Sequence, residues 1–178
     1  MEIQDEKLRY PVGRFEMPAT FGKPDFERAA GAIADFPRDM AQAVKGLSDS
    51  ALDWRYRPNG WRIREVIHHC SDSHINAYVR FKKGLTEPEP RIAGYDEAAW
   101  ARLPDDQDLP IQNALDLLHT LHSRWAYLIQ KMQAADFERG YYHPEIQRVV
   151  KLSEAVLQYE WHCRHHLAHV ETAKKKKF

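Results

Sequence analysis

Four long segments of the chain carry apolar residues at the three-to-four spacing of an amphipathic helix, and this pattern limits the fold more than any other feature. The segments run over about residues 24–47, 61–85, 110–132 and 153–173. A helix with one apolar face must bury that face against another element. Because no strands alternate with these segments, we predict an all-α four-helix bundle rather than an α/β sheet.

The remaining segments are rich in turn-forming residues and predict an N-terminal arm and long loops. Proline and glycine recur along residues 1–23, which are predicted to form an extended arm. Residues 86–110 are predicted as a loop with one short helix, and residues 140–144 as a turn. Residues 149–152 are long enough only for a connecting strand. Pro37 predicts a kink in the first helix.

Composition excludes several classes of function. The 26 basic and 26 acidic residues give no net formal charge, so no positive field favours nucleic acid or an anionic membrane. No stretch of about 18 apolar residues predicts a membrane span, and no apolar run follows the charged start as in a secretory signal. Two cysteines fit a reducing cytoplasm. Without repeats or linkers, we expect one domain over residues 1–178.

Ten histidines are the unusual part of the composition, and seven lie in two short segments. These are His68, His69 and His74 in the second predicted helix and His162, His165, His166 and His169 in the fourth. His162 and His166 lie one turn apart at the border of the apolar stripe, so their ring nitrogens can converge on one ion. On the second helix, spacing alone selects His74 as the buried histidine and does not settle whether His69 faces a neighbouring helix.

A histidine on an apolar face is usually a core residue bonded to a carbonyl or hydroxyl group, so the pair on the fourth helix alone does not establish a metal site. The cluster on a second inward-facing helix strengthens the metal hypothesis, since bundles build such sites from facing helices. Cys70 and Cys163 each neighbour a candidate ligand and could bind metal as thiolates. Both lie inside apolar stripes, which favours a place in the core.

The segment from Trp61 to His74 resembles the helix-two signature of the DinB-like metalloproteins, in which a tryptophan precedes the metal-binding histidine by eight residues. Trp61 stands at that distance from His69. The chain is most similar to the YfiT branch, which includes metal-dependent hydrolases and bacillithiol S-transferases. The supporting stretches lie at residues 10–13, 76–82, 95–100, 121–125, 142–145 and 161–169, and together they span nearly the whole chain.

This resemblance implies a four-helix bundle, a homodimer and one divalent ion per subunit, with zinc or nickel expected. The family's ligand on helix two falls on His69, and its H-x-x-x-H pair falls on His162 and His166. His74 is then a neighbour of the site. The chain departs from many relatives at Cys70, where they have an aliphatic residue.

Three neutral imidazoles leave one coordination position open, as in catalytic zinc sites. The first hypothesis is therefore a metal-dependent hydrolase that activates water for attack on a small molecule. The alternative is a thiol S-transferase that joins a low-molecular-weight thiol to an electrophile. A non-catalytic metal-binding stress protein is the third hypothesis. None of the three requires nucleic acid or a membrane.

Five further residues are candidates for supporting roles. Glu65 and Asp72 lie one turn on either side of His69 and could orient an imidazole or accept a proton. Arg80 and Arg124 could bind a substrate carboxylate, and His74 could also contact the substrate. For the four charged residues, a solvated helix face or a salt bridge between helices is the alternative interpretation.

Overall fold

The computed structural model describes residues 2–178, with side chains from residue 5 onward. In chain order, the helices are α1 (Glu2–Arg9), α2 (Lys23–Val44), α3 (Ile63–Thr86), α4 (Glu97–Trp100), α5 (Pro104–Asp108), α6 (Ile111–Lys131), α7 (Ala134–Glu138) and α8 (Leu152–Lys176). A 3-10 helix covers Asp49–Asp53, and two strands, β1 (Gly140–His143) and β2 (Arg148–Lys151), precede α8. The four long helices agree with the four predicted segments to within a few residues, which confirms the all-α four-helix bundle.

The core lies between the four long helices. α2 packs against α6 and α8, and α3 packs against the same two helices. Phe81 of α3 meets Trp125 of α6 edge to face, with ring centroids 5.3 Å apart and both side chains fully buried. Burial of a large apolar side chain stabilises the fold by about 1.5–3 kcal/mol. No helix within residues 2–178 has both the length and the apolar character needed to cross a membrane.

The N-terminal arm is extended only in part, so the prediction for residues 1–23 is wrong at its start. Residues 2–9 form α1, where Asp5 and Arg9 pair one turn apart at 3.6 Å. Pro11 disfavours helical backbone at the residue before it, and the helix ends there. The following segment lies on α8, because the indole N–H of Trp161 donates to the carbonyl of Gly13 at 3.0 Å. The arm therefore covers the outer side of the histidine-rich helix.

A β-hairpin replaces the turn and connecting strand predicted between the third and fourth long helices. β1 pairs with β2 in antiparallel register, with Tyr141 opposite Val150 and both residues buried. Gly140 is required at the start, because a Cβ atom there would collide with the carbonyl oxygen of Val150. The hairpin leads directly into α8, which begins at Leu152 with Lys151 as its N-cap.

Candidate metal centre

Three histidines from two helices meet inside the bundle. His69 lies on α3, and His162 and His166 lie one turn apart on α8. One ring nitrogen from each residue lies within 4.8 Å of the other two. The ring centroids of His162 and His166 are 4.4 Å apart, and that of His69 is 4.9 Å from His166. Nitrogens grouped in this way can converge on a single divalent ion.

Burial keeps these three rings neutral. His69 and His166 are buried, whereas His162 is partly exposed and gives the group its access to solvent. Loss of hydration lowers the pKa of His69 to about 4, and it lowers the pKa values of His162 and His166 well below the usual range. The rings also disfavour protonation of one another. Neutral imidazole is the form that binds metal, so the free protein presents these side chains ready to bind.

His74 does not join the three histidines, although spacing alone favoured it over His69. Its side chain is fully buried, and both ring nitrogens are bonded to other histidines. Nδ1 of His74 lies 2.7 Å from Nε2 of His122, and Nε2 lies 2.9 Å from Nδ1 of His162. Neither ring nitrogen of His74 is left to bond a substrate, which argues against a substrate-binding role for this residue.

The hydrogen-bonded chain of histidines ends on a backbone carbonyl. Nδ1 of His122 lies 2.6 Å from the carbonyl oxygen of Ile33, which can only accept, so His122 donates there. A neutral ring has one donor and one acceptor, and Nε2 of His122 therefore accepts from His74. Nε2 of His74 in turn accepts from Nδ1 of His162. The remaining lone pair of His162 lies on Nε2, where it is available to an ion.

Pro37 explains why the carbonyl of Ile33 is available inside a helix. In α2 this carbonyl would normally accept from the backbone N–H four residues later, but residue 37 is proline and has no N–H. The helix continues through Pro37, and the side chain of His122 on α6 supplies the donor instead. A proline in one helix is thus matched by a histidine from another.

His166 is oriented in a similar way, through His169, by a backbone carbonyl of α1. Nε2 of His169 lies 3.0 Å from the carbonyl oxygen of Arg9 and donates to it, which leaves Nδ1 of His169 as an acceptor. Nδ1 of His166 lies 3.4 Å from that atom, at the long end of a hydrogen bond. Donation there places the lone pair of His166 on Nε2. The C-terminal end of α1 therefore contributes to the histidine group through the backbone carbonyl of Arg9.

A second group, His165, His166 and His169, also brings its ring nitrogens within 4.8 Å. A neutral imidazole has a single lone pair, so His166 can serve only one of the two groups at a time. His169 uses one nitrogen on Arg9, and the ring of His165 stacks on Trp161 with centroids 4.5 Å apart. The bonds of His166 and His169 favour the group that contains His69.

The donor set fits a divalent ion of borderline softness. Both groups consist only of histidine within the described part of the chain. Three neutral imidazoles are typical of catalytic zinc sites and also suit nickel, copper and iron. Cys70 and Cys163 are buried free thiols, and burial raises the pKa of each, so both remain in the core as uncharged thiols.

Glu65 has a structural position at the start of α3. Its carboxylate accepts from the backbone N–H of Arg62 at 2.7 Å, and from the Arg62 guanidinium and the Gln107 amide at 3.1 Å each. Burial alone would raise the pKa of Glu65, but these hydrogen bonds outweigh it and the pKa is lowered. The side chain is a helix cap bonded to two neighbours, which leaves it poorly suited to proton transfer.

Asp72 is the second carboxyl candidate. It is half-buried, and burial together with nearby Asp105 raises its pKa to about 6. Asp106 of α5 is also buried, and its Oδ1 lies 3.8 Å from Nδ1 of His68. Burial and the nearby charge of Asp72 raise the pKa of Asp106 to about 7. Asp106 was not a candidate from sequence, because the fold alone buries this residue of a short acidic helix.

The two arginine candidates differ in position. Arg124 is exposed and lies in an outer groove between α3 and α6 with Tyr78, 6.0 Å from the tyrosine ring. None of the three candidate ligands lines that groove. Arg80 is half-buried on α3 and donates to the carbonyl of Ala93 at 3.4 Å, where it ties the loop before α4 to the bundle. The structure brings neither guanidinium into the histidine group.

Sequence reasoning assigned no role to His122. A usable signal was present, because His122 continues the buried stripe of α6 through Leu118 and Trp125. A polar residue at such a position needs a partner. The partner is a carbonyl 89 residues away in sequence, which no local pattern indicates.

The molecule is a four-helix bundle with a group of histidines between two of its helices, and bundles of this class can build metal sites from side chains on facing helices. Residues 32–170 match the DinB superfamily, and the chain belongs to it.

Relatives cover almost the whole chain. YfiT of Bacillus subtilis is 39% identical over 163 residues, which is 92% of each chain. Proteins of Bacillus mycoides and Bacillus pumilus are 41% and 42% identical, over 95% and 92% of this chain and 96% and 93% of theirs. All three are named, provisionally, as metal-dependent hydrolases.

A solved structure of YfiT from Bacillus subtilis matches with a TM-score of 0.92 at 38% identity, covering 96% of this chain and 97% of that one. It is described as "a probable metal-dependent hydrolase with an unusual four-helix bundle topology".

Proposed function

We propose that the protein is a metal-dependent hydrolase of a small molecule, with one divalent ion held by His69, His162 and His166. The observation that carries the proposal is the convergence of three neutral ring nitrogens from α3 and α8. Relatives named as metal-dependent hydrolases over nearly the full length support it. We further propose a cytoplasmic homodimer in which residues 1–178 form one domain.

A bound ion would act as a Lewis acid, polarising a substrate carbonyl and making a nearby water or thiol more acidic. The protein's own contribution is to keep the three imidazoles neutral and oriented. Trp61 packs on His69 with ring centroids 4.4 Å apart and excludes water from that side. His162 is the ring that is partly exposed, so substrate would approach from its side. The ligand set suits zinc or nickel equally well.

Thiol S-transfer is the second candidate function. The commitment of Glu65 to Arg62 and Gln107 favours it, because a nucleophile that ionises easily needs less help from a general base than water does. The histidine ligands bring no negative charge, so a divalent ion held there would leave the site with a charge of +2, which would attract a thiolate. Asp72, with its raised pKa, is then the carboxyl candidate for proton transfer.

The two reactions are separated by their need for thiol. Metal-loaded protein is tested against ester and amide panels without thiol, and then with cysteine, glutathione or bacillithiol plus an electrophile. Product formed without thiol supports hydrolysis, provided that His166→Ala loses both the activity and the metal. The matched variant His119→Ala, at an exposed position of α6, should retain the activity and the metal. Product only with thiol supports transfer. Retained metal without turnover would leave a metal-binding protein.

The proposed dimer has its own test. Light scattering should report twice the 20.9 kDa chain mass, and a value near 20.9 kDa would contradict it.

A further inference from the structure

Two histidines outside the proposed ligand set are fully buried and lead away from it. His74 of α3 and His122 of α6 are both 0% exposed, and they connect His162 to the carbonyl of Ile33 through contacts of 2.9, 2.7 and 2.6 Å. Neither ring can reach a substrate. Buried polar groups of this kind are costly unless every donor and acceptor is matched. Both ring nitrogens of His74 and both of His122 have a partner.

We propose that His74 and His122 are positioning residues that hold His162 in the Nδ1–H tautomer, so that its Nε2 lone pair faces the metal site. The inference rests on the proposed metal centre and deepens it, since it states how one ligand is prepared before the ion arrives. A metal-ligating histidine commonly donates its other N–H to a carboxylate, carbonyl or water. In this protein two further imidazoles extend that contact to a distant carbonyl.

The carbonyl of Ile33 fixes the direction in which the three histidines donate their hydrogen bonds. If His162 carried its proton on Nε2, then His74 and His122 would also have to carry theirs on Nε2. Nδ1 of His122 would then direct a lone pair at the carbonyl oxygen of Ile33 across 2.6 Å. Two acceptors at that distance repel each other, and both would be buried without a donor. The carbonyl therefore selects one orientation for all three protons.

Aromatic packing keeps the rings in place. Phe36 of α2 contacts both His74 and His122, with ring centroids 5.3 and 5.4 Å away. Trp125 of α6 meets the same two rings edge to face at 5.9 and 5.8 Å. The pair thus sits between large side chains that limit rotation about the side-chain bonds. Pro37, by leaving the Ile33 carbonyl without its helical donor, supplies the fixed end of the chain.

The first test is spectroscopic and needs no metal. Long-range proton–nitrogen NMR spectra of ¹⁵N-histidine-labelled, metal-free protein distinguish the two neutral tautomers. We expect His122, His74 and His162 all to be protonated on Nδ1, whereas free histidine favours Nε2. Protonation of His162 on Nε2 would overturn the inference.

The second test removes one link. His122→Phe keeps an aromatic ring beside Phe36 and Trp125 but deletes both polar contacts, and His119→Phe makes the same change on the exposed face of α6. His122→Phe should release His162 from the Nδ1–H tautomer and weaken zinc or nickel binding about 10–100-fold. His119→Phe should change neither. A folded His122→Phe protein with unchanged tautomer and affinity would overturn the inference.

If His122→Phe does not fold, His74→Phe and the wild-type spectra test the inference instead, by the tautomer of His162 and by the affinity for zinc or nickel. The result also separates this inference from the proposed function. The predicted tautomers with metal bound but no hydrolysis would refute the function and support the inference. Hydrolysis with His162 protonated on Nε2 in the metal-free protein would do the reverse.

Discussion

Acidification of the metal-free protein is the perturbation to which its buried histidines respond most directly. Seven are held neutral by burial: His69, His74, His122, His162, His165, His166 and His169. Burial lowers the pKa of His69, His122 and His165 to about 4 and that of His169 to about 3. Unfolding returns each to an ordinary pKa of about 6.5, so below pH 6.5 the unfolded chain binds more protons than the folded one.

The magnitude follows from counting protons. At pH 5.5 each of the seven histidines takes up about 0.9 proton on unfolding. Asp72 and Asp106 act in the opposite direction, because their raised pKa values of about 6 and about 7 mean that the folded state holds their protons between about pH 4 and pH 7. They release nearly two protons together, which leaves a net uptake of about four to five. The free energy of unfolding should therefore fall by about 6 kcal/mol for each pH unit.

A domain of ordinary stability, about 5–15 kcal/mol, would unfold within about one to two and a half pH units below 6.5 under this slope. Urea unfolding of chelator-treated protein, followed by circular dichroism from pH 7.5 to 5, measures the slope directly. His165→Gln removes a buried ring whose Nδ1 has no partner, and should reduce the uptake by about one proton. A free energy of unfolding that stays level between pH 6.5 and 5 would refute the reasoning.

Three further predictions concern the metal, the start of α3 and the hairpin. Zinc or nickel at 100 times its dissociation constant should stabilise the fold by about 2.7 kcal/mol, seen as a higher melting temperature that His166→Ala abolishes; an equal rise in that variant would contradict the ligand assignment. Glu65→Ala should lower the free energy of unfolding by about 1–2 kcal/mol through loss of the cap while metal stoichiometry stays unchanged, and loss of metal would instead support a role in the site. Gly140→Ala should destabilise by more than about 1 kcal/mol in denaturant titration, because its Cβ would collide with Val150, and an unchanged midpoint would refute that contact.

The long helices could be predicted from sequence because each repeats its apolar spacing over five or more turns. The hairpin could not, since β1 and β2 are four residues each and give too short an alternation to distinguish from a turn. The helix of residues 2–9 was missed for a related reason. Among residues 5–9, whose side chains are described, none is buried, and the Asp5–Arg9 ion pair and contact with α8 hold the helix.

The site shows where periodicity stops being informative. Of the 24 residues of α3, 13 are buried, so the helix is covered on more than one side and both His69 and His74 are inside. An apolar stripe ranks residues by burial, but it does not say which neighbour each one meets. His69 meets α8 and His74 meets α6 and α8, and that difference depends on the arrangement of three helices. The resemblance to known metalloproteins, rather than the spacing, selected His69.

Pro37 allows a final prediction that distinguishes a structural from a positioning role for the histidine chain. Pro37→Ala restores a backbone N–H that can bond the carbonyl of Ile33, which now accepts from His122. In a helix without the proline, that carbonyl is drawn toward the backbone donor and away from α6. Helix propensity predicts an unchanged or higher free energy of unfolding, because proline is the residue least suited to a helix interior. The positioning role predicts, at the same time, weaker metal binding and a shift of His162 away from the Nδ1–H tautomer. Isothermal titration with zinc and the NMR spectra measure both, and a more stable variant with unchanged affinity and tautomer would show that Ile33 does not control the ligand.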